Sequence, residues 1–529
     1  MSNKRLAKTI VTISSLIGSL SATSAAVPAR PSIVIGIVVE GLSTDYLRLL
    51  DSNFSAGGFR RLAQQGVSIS DLRYGPGVDE AAATAIIYTG AAPTVNGIPS
   101  TFIYQTDRQA AVHILHDPSK IGNFTSETYS PDALKVSTIS DELRIDSRGE
   151  GLVHSVAASP TMAILTAGHA ANGAFWISDT NNNWASSTYY TDMPISVGNR
   201  NYRAPLSQKL DTVSWTPVIN PTALPGLSDP KRLRPFKHLF TKKMPDRLQA
   251  FKASAVGNRE ITDLAIDLIN ELAMGRHTGM DMINVAYTLA PYSYGRSADS
   301  SMETLDAYIR LDRDIARLID AATRSGGQGK VAVFLAGTPA PASEKRDDAR
   351  WNIPYGQFSV KKAESLLNMY LMALHGNDDW IDGYYNNQFY LNRKLISDKN
   401  LDITDIRSEA ADFLTRMSGV ADVYTIEDII AARVGDDPQG LKRNTSVRHS
   451  GDIIIKVAPG WEVIDDGSRR PPVVQRESQG AIPAFILAPG IKPQKITTPT
   501  DARIIAPSVT RAIWVRAPNG ASLSPLPLD

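Results

Sequence analysis

Two glutamates stand at positions from which chemistry can start. Glu40 closes the apolar run Ile33–Val39, and Glu80 precedes the small apolar stretch Ala81–Tyr88. Paired carboxyl groups can serve as general acid and base without a metal, as in glycoside hydrolysis. If they lie close together they share a proton, and one of them titrates high. The nearest hydroxyls are Thr84 and Thr89; without a base or a metal beside them they are not activated and read as structural. The histidines are His113, His116, His154, His169, His238, His277, His375 and His449. His113 and His116 are three apart, but Asp117-Pro118 follows at once, which reads as strand and turn rather than a metal site. Asp465-Asp466 reads as a solvated turn, and Glu303 and Asp306 as caps or pairs within a helix. The chain has no cysteine, so disulfides, thiolate ligands, a cysteine nucleophile and a cysteine-linked lipid anchor are excluded.

The elements that must position these groups follow from the apolar pattern. Ile33–Val39 is continuous and β-branched, as a strand buried on both faces of a parallel sheet requires. Ser43–Leu50 and Gly58–Gln65 read as short helices, and Ala81–Tyr88 as a helix packed on the sheet. Val153–Ala157 and Ile164 read as strand edges, and Met282–Tyr287 and Val331–Leu335 as further strands. Ile261–Met274 has helical spacing. Met302–Ala322 is the most clearly amphipathic segment, with Leu305, Tyr308, Ile309, Ile315, Leu318 and Ile319 on one face. Asn172–Leu206 is polar and aromatic without clear period and reads as loop-rich, and Pro205–Phe240 stays irregular. Phe358–Val434 reads as a second insertion, with helices at Ala363–Leu374 and Ser408–Met417 and a strand at Gln388–Leu391. Asp452–Val457 and Ile482–Leu487 read as late strands returning to the sheet. Strands alternating with helices predict an α/β fold, a mostly parallel central sheet covered on both faces.

The 529 residues are enough for a large core, and the 43% apolar and 21% charged content is that of an ordinary globular protein. A net charge of +1 and the lack of a basic run argue against nucleic acid. Lys4, Arg5 and Lys8, a weakly apolar Thr9–Leu20 and the small residues Ser21–Ala26 predict a signal peptide over 1–26. The apolar run is far short of the roughly 20 residues that a membrane span needs. The chain is therefore expected to be periplasmic or secreted, with no transmembrane segment in its mature form.

Several motifs resemble the alkaline phosphatase superfamily, in the branch of Thr-nucleophile periplasmic phosphatases and type I phosphodiesterases. They are Ile33–Leu42, Gly57–Leu62, Ile87–Gly90, Asn96–Ile98, Ile139–Leu143, Ala167–His169, Gln388–Arg393, Ser450–Asp452 and Ala506–Val509. The resemblance implies one domain over 27–529 with insertions at about 170–250 and 345–450. It also implies chemistry at two zinc ions that clamp an in-line displacement. Glu40 falls at the family's metal-binding Asp, and Glu80 at its nucleophilic Thr. The family's zinc motifs fall on Leu289–Gly295 and Leu335–Ala340, where Pro291, Gly295, Thr338 and Pro339 stand. Its phosphate-clamping Lys-Asp-Arg falls on Ser159-Pro160-Thr161, and its Asn near Thr101. The last His ligand has no counterpart around Arg469–Pro472. The expectation is a family member with no metal ligands and no cofactor, an inactive pseudophosphatase that binds an unknown ligand or an envelope protein. The alternative is a metal-dependent phosphoric ester hydrolase with an altered site.

Overall fold

The structure is a computed structural model. It describes residues 30–528 except 106–107, 109, 221–234, 296–299, 341–354, 434–438, 447–448, 466–472 and 475–479. The expected signal peptide at 1–26, and the region Arg469–Pro472, lie outside the described residues.

Ile33–Glu40 is the second of five parallel strands, ordered Val331–Thr338, Ile33–Glu40, Asp281–Thr288, Val153–Ala157 and Gly173–Ile177. Its odd-numbered residues enter one apolar core and Val34 and Val38 enter the other, so both faces are dry, as an all-apolar strand demands. The sheet extends on one side through antiparallel Ile482–Leu487 to Val67–Arg73, and on the other through Trp184–Ser187 and Gly122–Asn123. One face is covered by the helices Ala255–Glu271 and Ser301–Gly326. The other carries Glu80–Thr89 and Pro160–Ala167.

Gly36 fixes how the helix Glu80–Thr89 lies on the sheet. A Cβ at Gly36 would stand 2.6 Å from the Tyr88 hydroxyl, so a side chain there would displace the helix. With glycine, Tyr88 sits on the strand and its hydroxyl donates to Asn284 Oδ1 at 2.8 Å. The helix thus runs antiparallel to Ile33–Glu40, with its N-terminus at the carboxyl edge of the parallel strands.

A separate apolar cluster forms a cap, in which Val360–His375 and Ile403–Thr415 pack on a four-stranded sheet. That sheet contains Ile453–Val457, which the sequence reading had sent back to the main sheet; it pairs with Val420–Thr425 and Gln388–Leu391 instead. Two further expectations are corrected. Ile164 is not a strand edge but lies in the helix Pro160–Ala167, which Ser159 caps by accepting from Met162 N. The stretch after Asn172 is not simply loop: Gly173–Ile177 and Trp184–Ser187 are buried strands of the main sheet.

Candidate active site

The parallel strands end in a row of three polar side chains on the face that carries the helix Glu80–Thr89. Glu40 is in register with Thr288 on one side and Thr338 on the other. Thr288 Oγ1 donates to Glu40 Oε2 at 2.9 Å. The Thr338 hydroxyl is buried and has no hydrogen-bond partner among the described residues. Gly41 then turns the chain with φ +74°, close against the backbone of Ala290. Clefts at the carboxyl ends of parallel strands are where open α/β sheets bind ligands.

Glu80 is the first residue of its helix, and Asp79 is the cap. Asp79 Oδ1 accepts from Ala82 N at 3.1 Å and Oδ2 from Thr101 N at 2.7 Å. Asp79 and Glu40 stand near enough to Glu80 for their charges to act on it. Burial pushes Glu80 well above the usual carboxylate range, and the neighbouring Glu40 and Asp79 push it further. Burial also raises Glu40, against the Thr288 hydrogen bond and with the help of Asp79. Burial raises Asp79 despite its backbone hydrogen bonds. A helix N-terminus favours a carboxylate by up to about 1 kcal/mol, and at Glu80 desolvation outweighs it. A protonated Glu80 is a hydrogen-bond donor at a position where an ionised one only accepts.

The structure brings Glu40 and Glu80 together, as the paired reading needs. Asp79 and Thr288 were missed; Asp79 had a usable signal, an Asp three residues ahead of Ala82 at the head of an apolar helix. The threonines of the helix are turned inward. Thr84 Oγ1 donates to Glu80 O at 2.7 Å, and Thr89 Oγ1 donates to Ala85 O at 2.6 Å. Ser159-Pro160-Thr161 starts a helix, and Thr161 Oγ1 lies 2.9 Å from His113 Nε2. Since His113 Nδ1 accepts from Leu115 N, its proton sits on Nε2, and burial, then His116, lowers its pKa to about 4. The loop after Asp281–Thr288 turns Tyr292 into an aromatic cluster, its ring 5.1 Å from Trp215 and 4.7 Å from His238. Glu303 pairs with His238 at 2.8 Å instead of within its own helix, while Asp306 accepts from Trp215, Val218 and Arg310.

His169 serves the scaffold. Its Nδ1 lies 3.1 Å from Asp141 Oδ2 and its Nε2 3.0 Å from Leu134 O. The Asp141 hydrogen bond, opposed by burial, raises its pKa. The raised value sets the sign: its stabilisation is complete below the unfolded value near 6.5 and fades as pH rises through the folded one. Replacing His169→Gln is expected to cost up to about 1 kcal/mol at pH 5.5 and less at pH 8.5. Denaturant midpoints of the two proteins at both pH values check this; an equal gap at both would refute it.

This fold and cleft have known counterparts. The family model for type I phosphodiesterase / nucleotide pyrophosphatase matches residues 34–481. The chain belongs to that family. Alkaline phosphatase PafA of Elizabethkingia meningoseptica is 26% identical over 98% of this chain and 97% of its own. Alkaline phosphatase PhoV of Synechococcus elongatus is 26% identical over 93% and 92%. A protein of Myroides odoratus described as a calcium-transporting ATPase is 28% identical over 94% of each. The crystal structure of wild-type PafA superposes with a TM-score of 0.82 at 25% identity, covering 94% of this chain and 98% of that one. Its likeness supports the α/β architecture with a large, mostly parallel sheet.

These relatives correct one expectation. The reading of a chain without a cofactor does not stand, because full-length relatives are alkaline phosphatases, the class for which the resemblance implies zinc, and no loss of metal binding is demonstrated. Among the described residues no three His, Cys, Asp or Glu side chains are placed to hold an ion, and the strand ends and helix head supply the carboxyls of Glu40, Asp79 and Glu80 and the hydroxyls of Thr288 and Thr338. This donor set does not fit a two-zinc centre as the described residues stand.

Proposed function

We propose that this family member binds a ligand in its cleft without turning it over, a pseudophosphatase acting as a binding or scaffolding protein. One observation carries the reading: the head of the cleft helix presents the Glu80 carboxyl, while both threonine hydroxyls of that helix are engaged with its own carbonyls. A covalent phosphoryl intermediate needs an activated oxygen nucleophile. A carboxyl crowded by Glu40 and Asp79 is a poor one, and repels a phosphate dianion whenever it is ionised. Protonated, Glu80 instead donates to a ligand oxygen. The ligand is a small polar molecule or a segment of an envelope protein. The reading includes one phosphatase-like domain from residue 27, with insertions at about 170–250 and 345–450, exported by a leader at 1–26 to the periplasm or beyond. No helix among the described residues is long and apolar enough to cross a membrane.

A second reading is favoured by the full-length alkaline phosphatase relatives: a metal-dependent phosphoric ester hydrolase with an altered site. Purified mature protein, assayed on an aryl phosphate and an aryl phosphodiester with its metal content measured in the same sample, separates the two. The binding reading expects no turnover above background with zinc, magnesium or calcium supplied. Turnover that depends on protein-bound metal establishes the hydrolase.

A further inference from the structure

The cleft is not the protein's one concave polar site. A cavity of about 200 Å³ lies at the seam between core and cap, lined by Arg73, Tyr74, Ile86, Arg443, Asp501 and Arg503 among others, and by none of the cleft carboxyls. Three guanidinium groups face it against one carboxylate. Arg503 is engaged: its Nε and Nη2 hold Asp501 at 3.0 and 2.6 Å, and its Nη1 lies 3.3 Å from Ser522 Oγ. Burial would raise Asp501, but this pairing holds it below the usual range, so it stays an anion. Arg73 sends Nε and Nη2 to one oxygen of Asp71, at 3.1 and 2.6 Å. Among the described residues Arg443 has no such hydrogen-bonded partner, only a looser ion pair. It stands 3.7 Å from Asp501 Oδ2, beyond hydrogen-bond reach, with a side chain 54% exposed. Tyr74, whose hydroxyl donates to Gly337 O, gives its ring to the wall, and Ile86 adds an apolar surface.

We propose that this cavity binds a small phosphate, inorganic or as a monoester with a short apolar group. Guanidinium forks match phosphate oxygens in pairs, which suits Arg443 and the outer edge of Arg73. The apolar wall suits a few carbons. The volume is below the roughly 300 Å³ at which drug-sized ligand pockets begin, which suits a ligand smaller than a nucleotide. The site also bridges two parts of the fold. Arg73 and Arg503 belong to the core, and Arg443 to the cap-side helix Gln439–Asn444, whose Asn444 Nδ2 donates to Tyr74 O and Pro76 O at 3.2 and 2.9 Å. A bound phosphate therefore fastens that helix to the segment leading from Arg73 to Glu80. This inference does not depend on whether the cleft hydrolyses anything.

Calorimetric titration of the purified full chain with inorganic phosphate and with methyl phosphate, in chloride of matched ionic strength, tests it. Saturable binding is expected, weakened at least tenfold by Arg443→Gln and by Arg73→Gln, and unchanged by Glu80→Gln. Tighter binding of methyl phosphate identifies a monoester as the fitting ligand; equal binding identifies the free ion. The proposal is overturned if neither phosphate saturates the protein by about 10 mM, a Kd too weak to matter against cellular levels. It is equally overturned if both arginine variants bind as the parent does, or if Glu80→Gln tightens binding by relieving a nearby negative charge, which would place the anion in the cleft.

Discussion

Asp452→Ala is expected to melt the cap ahead of the core. Asp452 is fully buried where the cap sheet meets its helices. Its Oδ1 accepts from Arg393 Nε at 3.0 Å and from Arg407 Nε and Nη2 at 2.9 and 2.6 Å, and its Oδ2 from Leu391 N at 2.9 Å. Alanine leaves two guanidinium groups around an uncompensated hole, with Arg407 only 11% exposed and Glu427 as its remaining partner. Breaking a buried pair in this way costs about 3–5 kcal/mol. The cap has its own apolar cluster, so the loss is expected to be local. Hydrogen exchange should accelerate across Val360–His375 and Ile403–Thr415 while Ile33–Glu40 keeps its protection. Uniform acceleration would mean that cap and core unfold as one unit. Asp452→Asn keeps an acceptor for one arginine and should cost less.

The sheet was legible where burial is decided locally. The uninterrupted apolar run at Ile33–Val39 announces a strand wet on neither face, and Ser301–Gly326 announces its buried stripe at every third or fourth residue. What sequence could not supply was destination. Ile453–Val457 reads as a strand wherever it docks, and its partner choice depends on Phe389 and Tyr424, about 64 and 30 residues away. Trp184–Ser187 looks polar, yet it is buried because Gly173–Ile177 and Glu260 cover it, the latter accepting from Trp184 Nε1 at 3.3 Å. The candidate site divides in the same way. Glu40 and Glu80 were visible by their place in the family frame. Thr288 was invisible, because a threonine closing a strand acquires meaning only once the parallel register sets it beside Glu40.

Glu80→Gln is expected to stabilise the protein, increasingly so as pH rises. The folded-state pKa of Glu80 is raised above its model-peptide value near 4.5, so the native state holds its proton longer than the unfolded chain does. Stability drains away as pH climbs from about 4.5 through the folded value. The raised pKa sets the sign, so the variant is expected to gain thermal stability over the parent at pH 8 and not at pH 4. Glutamine has the same shape, keeps the donor that a protonated Glu80 supplies, and carries no charge against Glu40 and Asp79. Thermal midpoints of parent and variant should therefore coincide near pH 4 and separate above it. An infrared band of a protonated carboxylic acid at neutral pH, absent from the variant, would identify the group directly. The opposite outcome is equally informative. A divalent cation in the cleft would hold Glu80 ionised, and Glu80→Gln would then destabilise the protein by an amount that chelators abolish. That result would remove the neutral-acid reading of the cleft and favour the hydrolase.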